Sequence, residues 1–241
     1  MGTTAQKLAA VASSKAKIDA ALTARGITPP TKFADYGDAV RMLSKVWDAE
    51  IEYLQSVNTG NINTGISFGS SDSVRFVGTM AITSLASNTF FFGSKDDAGN
   101  ALYLQGNGSG ACMFVIGTIA SSSNVVKSSY SAGTMFDFDL SVSQTDDTVS
   151  GTINGTAKSG SFTGTVSSRP IRIFGYDNNG TMSGMKNTYR VAKFAVYKNG
   201  ALAFDGIPVR TSSVGYLYDR VSGQLFGNAG TGDFTLGPDK S

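Results

Sequence analysis

The chain is predicted to be mainly β, a two-sheet sandwich wound in a jelly-roll-type path and preceded by an N-terminal helical segment. Three observations carry this. Glycine is abundant, at 29 of 241 residues against a usual share of about 7%. Proline is scarce at 5 and charged residues are 16%, so the chain is turn-rich without having the composition of disorder. From about Glu50 onward apolar residues recur with period two, the spacing of strands that bury one face. Asn-Gly pairs at Asn154, Asn179 and Asn199 punctuate that region.

The N-terminal segment reads differently. Residues 4–24 are rich in alanine, lysine and leucine, and Leu8, Val11, Ile18 and Leu22 fall on one helical face. The same four fit a heptad a/d seam, with Lys15 at the intervening core position. Gly26 suits a left-handed cap, and Pro29 and Pro30 forbid continuation, so the helix is expected to end near Arg25. A second helical stripe follows through Phe33, Tyr36, Val40, Leu43 and Trp47, with Thr31 as N-cap and Asp35 in the first turn. Neither stripe sustains enough heptads for a coiled coil. A helical hairpin is expected over residues 1–49.

The β region spans 50–241. Val74, Phe76 and Val77 begin one strand, Phe90 to Phe92 a second, Leu102 to Leu104 a third and Met113 to Ile116 a fourth. In FDFDL, Phe136, Phe138 and Leu140 face one way and Asp137 and Asp139 the other. Asn199-Gly200 joins KFAVYK to ALAFDG, the strongest short-range hairpin signal in the chain. So many strands without helical interruption predict two sheets packed face to face.

Both ends of this region resemble a known family. IEYLQSVNTGNINTGI from Ile51 and GYLYDRVSGQLFGNAGTGDFTLG from Gly215 look like the opening and closing strands of the concanavalin-like (laminin-G-like) sandwich modules of bacteriophage tail and baseplate proteins. KFAVYKNGALAFDGIPVR, followed by the Tyr-Asp-x-Val-Ser-Gly hairpin, matches the same pattern. The match is good at both ends and only general over 70–170. It implies that IEYLQS lies beside TGDFTLG. The segment KLAAVASSKAKIDAALTARG, continued by FADYGDAVRML, resembles modules that precede a variable distal domain in phage tail and fibre proteins. That resemblance implies an attachment or oligomer interface at Leu8, Val11, Ile18, Leu22, Phe33, Tyr36, Val40, Leu43 and Trp47. The alternative is a hairpin packed on its own sandwich.

What chemistry the chain offers is narrow. There is no histidine, which removes the usual triads, dyads and imidazole metal sites. Cys112 is the only cysteine; it forbids an intramolecular disulfide and, within ACMFVIG, reads as a small buried hydrophobe. The only glutamates are Glu50 and Glu52, and the Glu-x-Asp-x-x-Glu strand of laminarinase-like hydrolases is absent. Asp137 and Asp139 are the remaining carboxylate pair, two apart on a strand and so about 7 Å from each other. GNGSGA at 106–111 is followed by a strand where a dinucleotide site needs a helix, and reads as a loop. No enzyme activity is expected.

Binding remains. No cofactor is expected, although calcium is compatible with three aspartate-rich loops: Lys95 to Asn100 with Asp96, Asp97 and Asn100; Gln144 to Asp147; and Tyr176 to Gly180. Turn chemistry explains the same residues, and nothing in the sequence chooses among the loops. For a sugar, Tyr176 with Asp177 and Asn178 is the best aromatic-plus-polar cluster, with Tyr103 and Tyr130 as further candidates for exposure. The formal charge of +2 argues against a nucleic-acid partner, and no apolar run is long enough to insert into a bilayer. The N-terminus lacks a secretory signal. The family resemblance therefore implies a virion structural and adhesion protein, assembled in the bacterial cytoplasm and bound to other virion proteins as a homo-oligomer, with a trimer favoured. It would present a host cell-surface glycan- or protein-binding face. A capsid decoration or head-fibre protein, and a glycoside hydrolase using aspartates, are the alternatives.

Overall fold

The computed structural model describes residues 3–24, 28–36, 46–57, 59–118, 123–184 and 187–240. The chain forms two compact units, Met1–Trp47 and Asp48–Ser241.

In the first unit, helix α1 (Thr4–Ala24) opens on a reciprocal cap. The Gln6 amide donates to Thr3 Oγ1 at 3.3 Å and the Thr3 amide to Gln6 Oε1 at 2.8 Å. Leu22 is buried and Ile18 half-buried against Tyr36, whose hydroxyl donates to Asp19, the carboxylate that also takes Lys15 Nζ at 2.7 Å. Towards the start of the same seam, Leu8 and Val11 are exposed, at 66% and 53%. The expected helical hairpin is not shown. One helix is described, followed by a 3₁₀ turn at Phe33–Asp35 in which the Asp35 amide reaches back three residues, to the Lys32 carbonyl, instead of four. Gly26, Val40 and Leu43 lie outside the described residues, as does the side chain of Phe33. Trp47 is buried.

The second unit is all strand and turn among the described residues. In chain order the strands are β1 (Ala49–Glu50), β2 (Leu54–Gln55), β3 (Ile62–Asn63), β4 (Ser73–Ile82), β5 (Thr89–Lys95), β6 (Asn100–Gly106), β7 (Ala111–Thr118), β8 (Ser123–Ser129), β9 (Phe136–Ser143), β10 (Thr148–Ile153), β11 (Thr156–Ser161), β12 (Arg172–Ile173), β13 (Tyr176–Asn178), β14 (Thr181–Ser183), β15 (Tyr189–Lys198), β16 (Ala201–Thr211), β17 (Val214–Asp219), β18 (Gln224–Phe226) and β19 (Thr235–Leu236). The larger sheet runs β11-β10-β9-β4-β15-β16-β17-β18, with β1, β2 and β19 attached. The smaller runs β14-β13-β5-β6-β7-β8, with β3 and β12 attached. Pairing is antiparallel except between β5 and β13.

The sheets pack face to face through aromatic rings. Phe76 of β4 lies 4.9 Å from Phe92 of β5 and 6.1 Å from Phe114 of β7, while Phe138 of β9 lies 5.3 Å from Phe92. Phe136, Phe138 and Leu140 are buried, as their alternation predicts, and Asp137 and Asp139 point away from the core. Cys112 is fully buried in the same core, and burial pushes its thiol up to about 12.

The Asn-Gly pairs at Asn154, Asn179 and Asn199 make the turns β10–β11, β13–β14 and β15–β16. Both residues of each pair have positive φ, as a two-residue hairpin of this hand requires. β2 pairs with β19 through Leu54 and Leu236, so the opening and closing segments do meet. The β17–β18 hairpin is clamped by Asp219, which is 2% exposed. Its Oδ1 accepts the amides of Asp205 and Val221, and its Oδ2 the amide and hydroxyl of Ser222. Burial alone would raise this carboxyl, but the Ser222 hydroxyl and the three amides outweigh burial and hold it below 3.8. A carboxyl depressed on folding stabilises above its unfolded pKa and loses that contribution as pH falls through the folded value. Asp219→Asn presents an NH₂ group to donors and is expected to cost about 2 kcal/mol at pH 7. In denaturant titrations the gap from wild type should narrow as pH drops below 3.8. A gap that stays constant would refute the assignment.

Candidate functional site

The rim residues singled out by sequence come together in one neighbourhood, because β13 runs parallel to β5 and sets Asp177 beside Ser94 and Asn178 beside Lys95. The carboxylates of Asp96 and Asp177 are committed internally. Asp96 accepts from the Asn100 amide at 2.9 Å, from Asn100 Nδ2 at 3.1 Å and from the Ser168 amide at 3.4 Å. Asp177, 1% exposed, accepts from the Gly180 amide at 2.6 Å and Arg169 Nε at 3.1 Å, with Arg172 Nε at 3.6 Å. Asp97 is exposed and Asn178 half-buried. In the third loop, the Gln144 amide group donates to the Gly69 and Asp72 carbonyls and its Oε1 accepts the Val166 amide, which makes it a brace. Among the described residues no three acidic or cysteine side chains converge as a metal site would need.

Of the candidate tyrosines, two are taken up by packing, the commoner fate of such a side chain. Tyr103 and Tyr130 are 8% and 5% exposed. Tyr103 belongs to the outer face of the small sheet, alternating with the core residues Leu102 and Leu104, but it is covered there by Phe90 and Tyr176, whose ring centroids lie 5.0 and 5.5 Å away. Tyr176 is half-buried, with its ring 4.4 Å from Phe90. Tyr130 donates its hydroxyl to the Asn107 carbonyl, and burial pushes it up to about 12.

A second place on the unit has the better geometry for a ligand, and the sequence reading did not single it out. It lies on the outer face of the large sheet. A hollow of about 320 Å³ is lined by Ser73, Arg75, Ser141, Ser143, Thr148, Ser150 and Tyr197 among others. These side chains alternate with Val74, Phe76, Leu140, Val142, Val149 and Val196, which are all core, so strand period alone turns them outward. A further hollow of about 380 Å³ continues over β10 and β11, and the two share Ser150.

Arg75 is the central charge of this trough. Its Nε and Nη2 donate to the two oxygens of Asp139 at 2.7 and 2.6 Å, a forked pair across β4 and β9. The pair leaves three of the five guanidinium N–H donors unused by Asp139, on a side chain that is 47% exposed. The hydrogen bonds from Arg75 hold the Asp139 carboxyl below its usual range, and the same bonds raise Arg75. Tyr197 stands at the β15 end, its ring centroid 5.3 Å from the guanidinium carbon. Asp137, the other carboxylate of the strand, accepts the Thr79 hydroxyl at 2.6 Å.

No protein-family model matches the chain, and no curated protein matches it in sequence. Solved structures do match. A putative carbohydrate binding protein from Bacteroides ovatus superposes with a TM-score of 0.54 at 13% identity, over 80% of this chain and 61% of its own. Galectin LEC-6 from Caenorhabditis elegans gives 0.39 at 13% identity, over 61% of this chain and 96% of its own. A sialidase from Trypanosoma rangeli gives 0.39 at 16% identity, over 52% of this chain and 20% of its own. This chain thus spans well under two thirds of the sialidase and somewhat under two thirds of the Bacteroides protein. What the likeness to the Bacteroides protein establishes is the fold alone, a mainly β sandwich of two sheets.

Proposed function

We propose that the chain is a non-catalytic glycan-binding module of a bacteriophage virion, tail- or baseplate-associated, which holds a host-surface glycan in the trough on its large sheet. The observation that carries this is the half-buried Tyr197 beside the forked Arg75–Asp139 pair, in a hollow to which five serine and threonine hydroxyls contribute along with Val74, Val142 and Gly200. An aromatic edge, a few oriented donors and acceptors and a concave surface are what sugar recognition requires. The Bacteroides protein of similar fold, itself described as carbohydrate binding, supports the reading.

The aspartates suit binding better than hydrolysis. A glycosidase needs one carboxyl kept protonated as general acid beside an ionised one, and Arg75, by lowering Asp139, removes it from the first of these roles. The virion assignment rests on the resemblance of both ends of the sandwich to phage modules. The exposed Leu8 and Val11 of α1 supply an apolar stripe for attachment to other virion proteins or for a trimeric seam. Copies held together would turn weak individual contacts into avidity.

Affinity electrophoresis through gels containing soluble β-glucan, galactomannan, dextran, alginate or hyaluronan tests the binding. At least one polysaccharide is expected to retard the protein, and Ser150→Ile, a surface change compatible with a strand, should abolish the retardation while leaving the thermal melt unchanged. Free migration through every gel would overturn the reading.

A further inference from the structure

Register turns the trough into a linear array. From β15 to β11 the in-register partners are Tyr197, Arg75, Ser141, Ser150 and Ser159. Beside them runs a second row, Ser73, Ser143, Thr148 and Ser161. Directly paired residues share a face and repeat at the inter-strand spacing, so the five-residue row is about 19 Å long, the reach of about four pyranose units in an extended chain. The hollows that meet at Ser150 follow the same line.

The five-residue row is also close to electrically silent, although beside the second row the exposed Asp146 accepts the Ser143 hydroxyl at 2.7 Å. Arg75 is matched by Asp139 at 2.6 Å, and Lys198 at the β15 edge by Asp72 at 2.9 Å. Lys158 borders the second hollow, but it pairs with Gly151, which shares its face with the core residues Val149 and Ile153, so its side chain leaves β11 on the other side. What the row offers a ligand is hydroxyl groups that both donate and accept, plus the unused N–H donors of a neutralised guanidinium.

We infer that the trough holds a linear, uncharged polysaccharide lying across the strands from Tyr197 to Ser159, with Asp139 setting the preference against acidic sugars by neutralising Arg75. This rests on the glycan-binding reading and specifies its ligand class. An acidic sugar would have to compete with Asp139 for the fork; an uncharged one accepts hydrogen bonds from the N–H groups left over.

Titration calorimetry on the full chain tests it, using cello-, manno- and malto-oligosaccharides from mono- to hexasaccharide and matched alginate and hyaluronan oligosaccharides. In at least one neutral series affinity is expected to rise about tenfold from disaccharide to tetrasaccharide, about 1.4 kcal/mol, and then level off. The acidic series should bind more weakly. Asp139→Asn should reverse that order by freeing the Arg75 charge, and Arg75→Gln should weaken both series, an independent check should Asp139→Asn fail to fold. A monosaccharide that binds as tightly as the tetrasaccharide, or a wild-type preference for the acidic series, would overturn the inference and leave glycan binding intact. Absence of binding to any sugar would remove the glycan-binding reading, and this inference with it.

Discussion

Replacing Phe76 with alanine is expected to lower the unfolding free energy by about 3–5 kcal/mol. Phe76 is fully buried near the middle of β4. It meets Phe92 and Phe114 of the facing sheet at 4.9 and 6.1 Å, Phe194 of the neighbouring strand at 6.2 Å and Phe68 at 5.9 Å. Truncation removes one ring from four aromatic contacts, and three of the rings around it belong to two hydrogen-bonded sheets that cannot collapse inward without breaking register. The loss should appear in urea as a lower midpoint at unchanged slope. Phe76→Leu, which refills most of the volume, should recover more than half of it. A loss under about 1 kcal/mol for the alanine variant would mean that the sheets are not packed through this ring.

Gly93→Ala should be nearly as costly for a different reason. Gly93 has φ of +146°, and a Cβ built there would lie 2.2 Å from Tyr103 Cβ, 2.4 Å from the Leu102 carbonyl oxygen and 2.5 Å from Tyr103 Cα. Two of those atoms are backbone of β6, the hydrogen-bonded neighbour, so the clash is relieved only by opening the β5–β6 ladder. Strain and overpacking together are expected to cost about 4 kcal/mol. Gly99→Ala is the control. Its φ is +83° with no atom within 4 Å, so backbone strain acts alone and the loss should be about 1 kcal/mol. Equal losses at the two glycines, read from thermal or urea midpoints, would show that close approach at Gly93 contributes nothing.

The sequence made some of this legible because the relevant physics is local. A two-residue hairpin turn of this hand needs positive φ at both positions, and the Asn-Gly pairs at 154, 179 and 199 supply it. FDFDL alternates because one face is core. Cys112 is buried because its neighbours are apolar. Exposure was harder to read. Tyr103 does point away from the core, as period two allows, yet Phe90 and Tyr176 arrive from other strands to cover it. Asp96 and Asp177 of the rim loops looked like ligands, but Asp96 serves its turn and Asp177 its turn and the arginine beside it. The trough was invisible for a further reason. Ser141, Ser150 and Ser159 are unremarkable singly, and only the register of β9, β10 and β11, together with the pairing of β4 to β15, lines them up with Arg75 and Tyr197. Alternation reports which face a residue takes, not which residue stands next to it.

The pairing of β4 with β15 also bears on how the protein is made. Ser73 donates its amide to Asn199 across a separation of 126 positions. At about 5–20 residues per second, a ribosome takes on the order of ten seconds to supply the second strand after the first. β9 covers one side of β4 sooner, but the other side carries an open hydrogen-bonding edge and the apolar run Val74, Phe76, Met80 throughout that interval. A charged side chain within such a strand discourages edge-to-edge association of nascent chains. Arg75 sits between Val74 and Phe76 and places such a charge within β4, in the stretch that waits for its second neighbour.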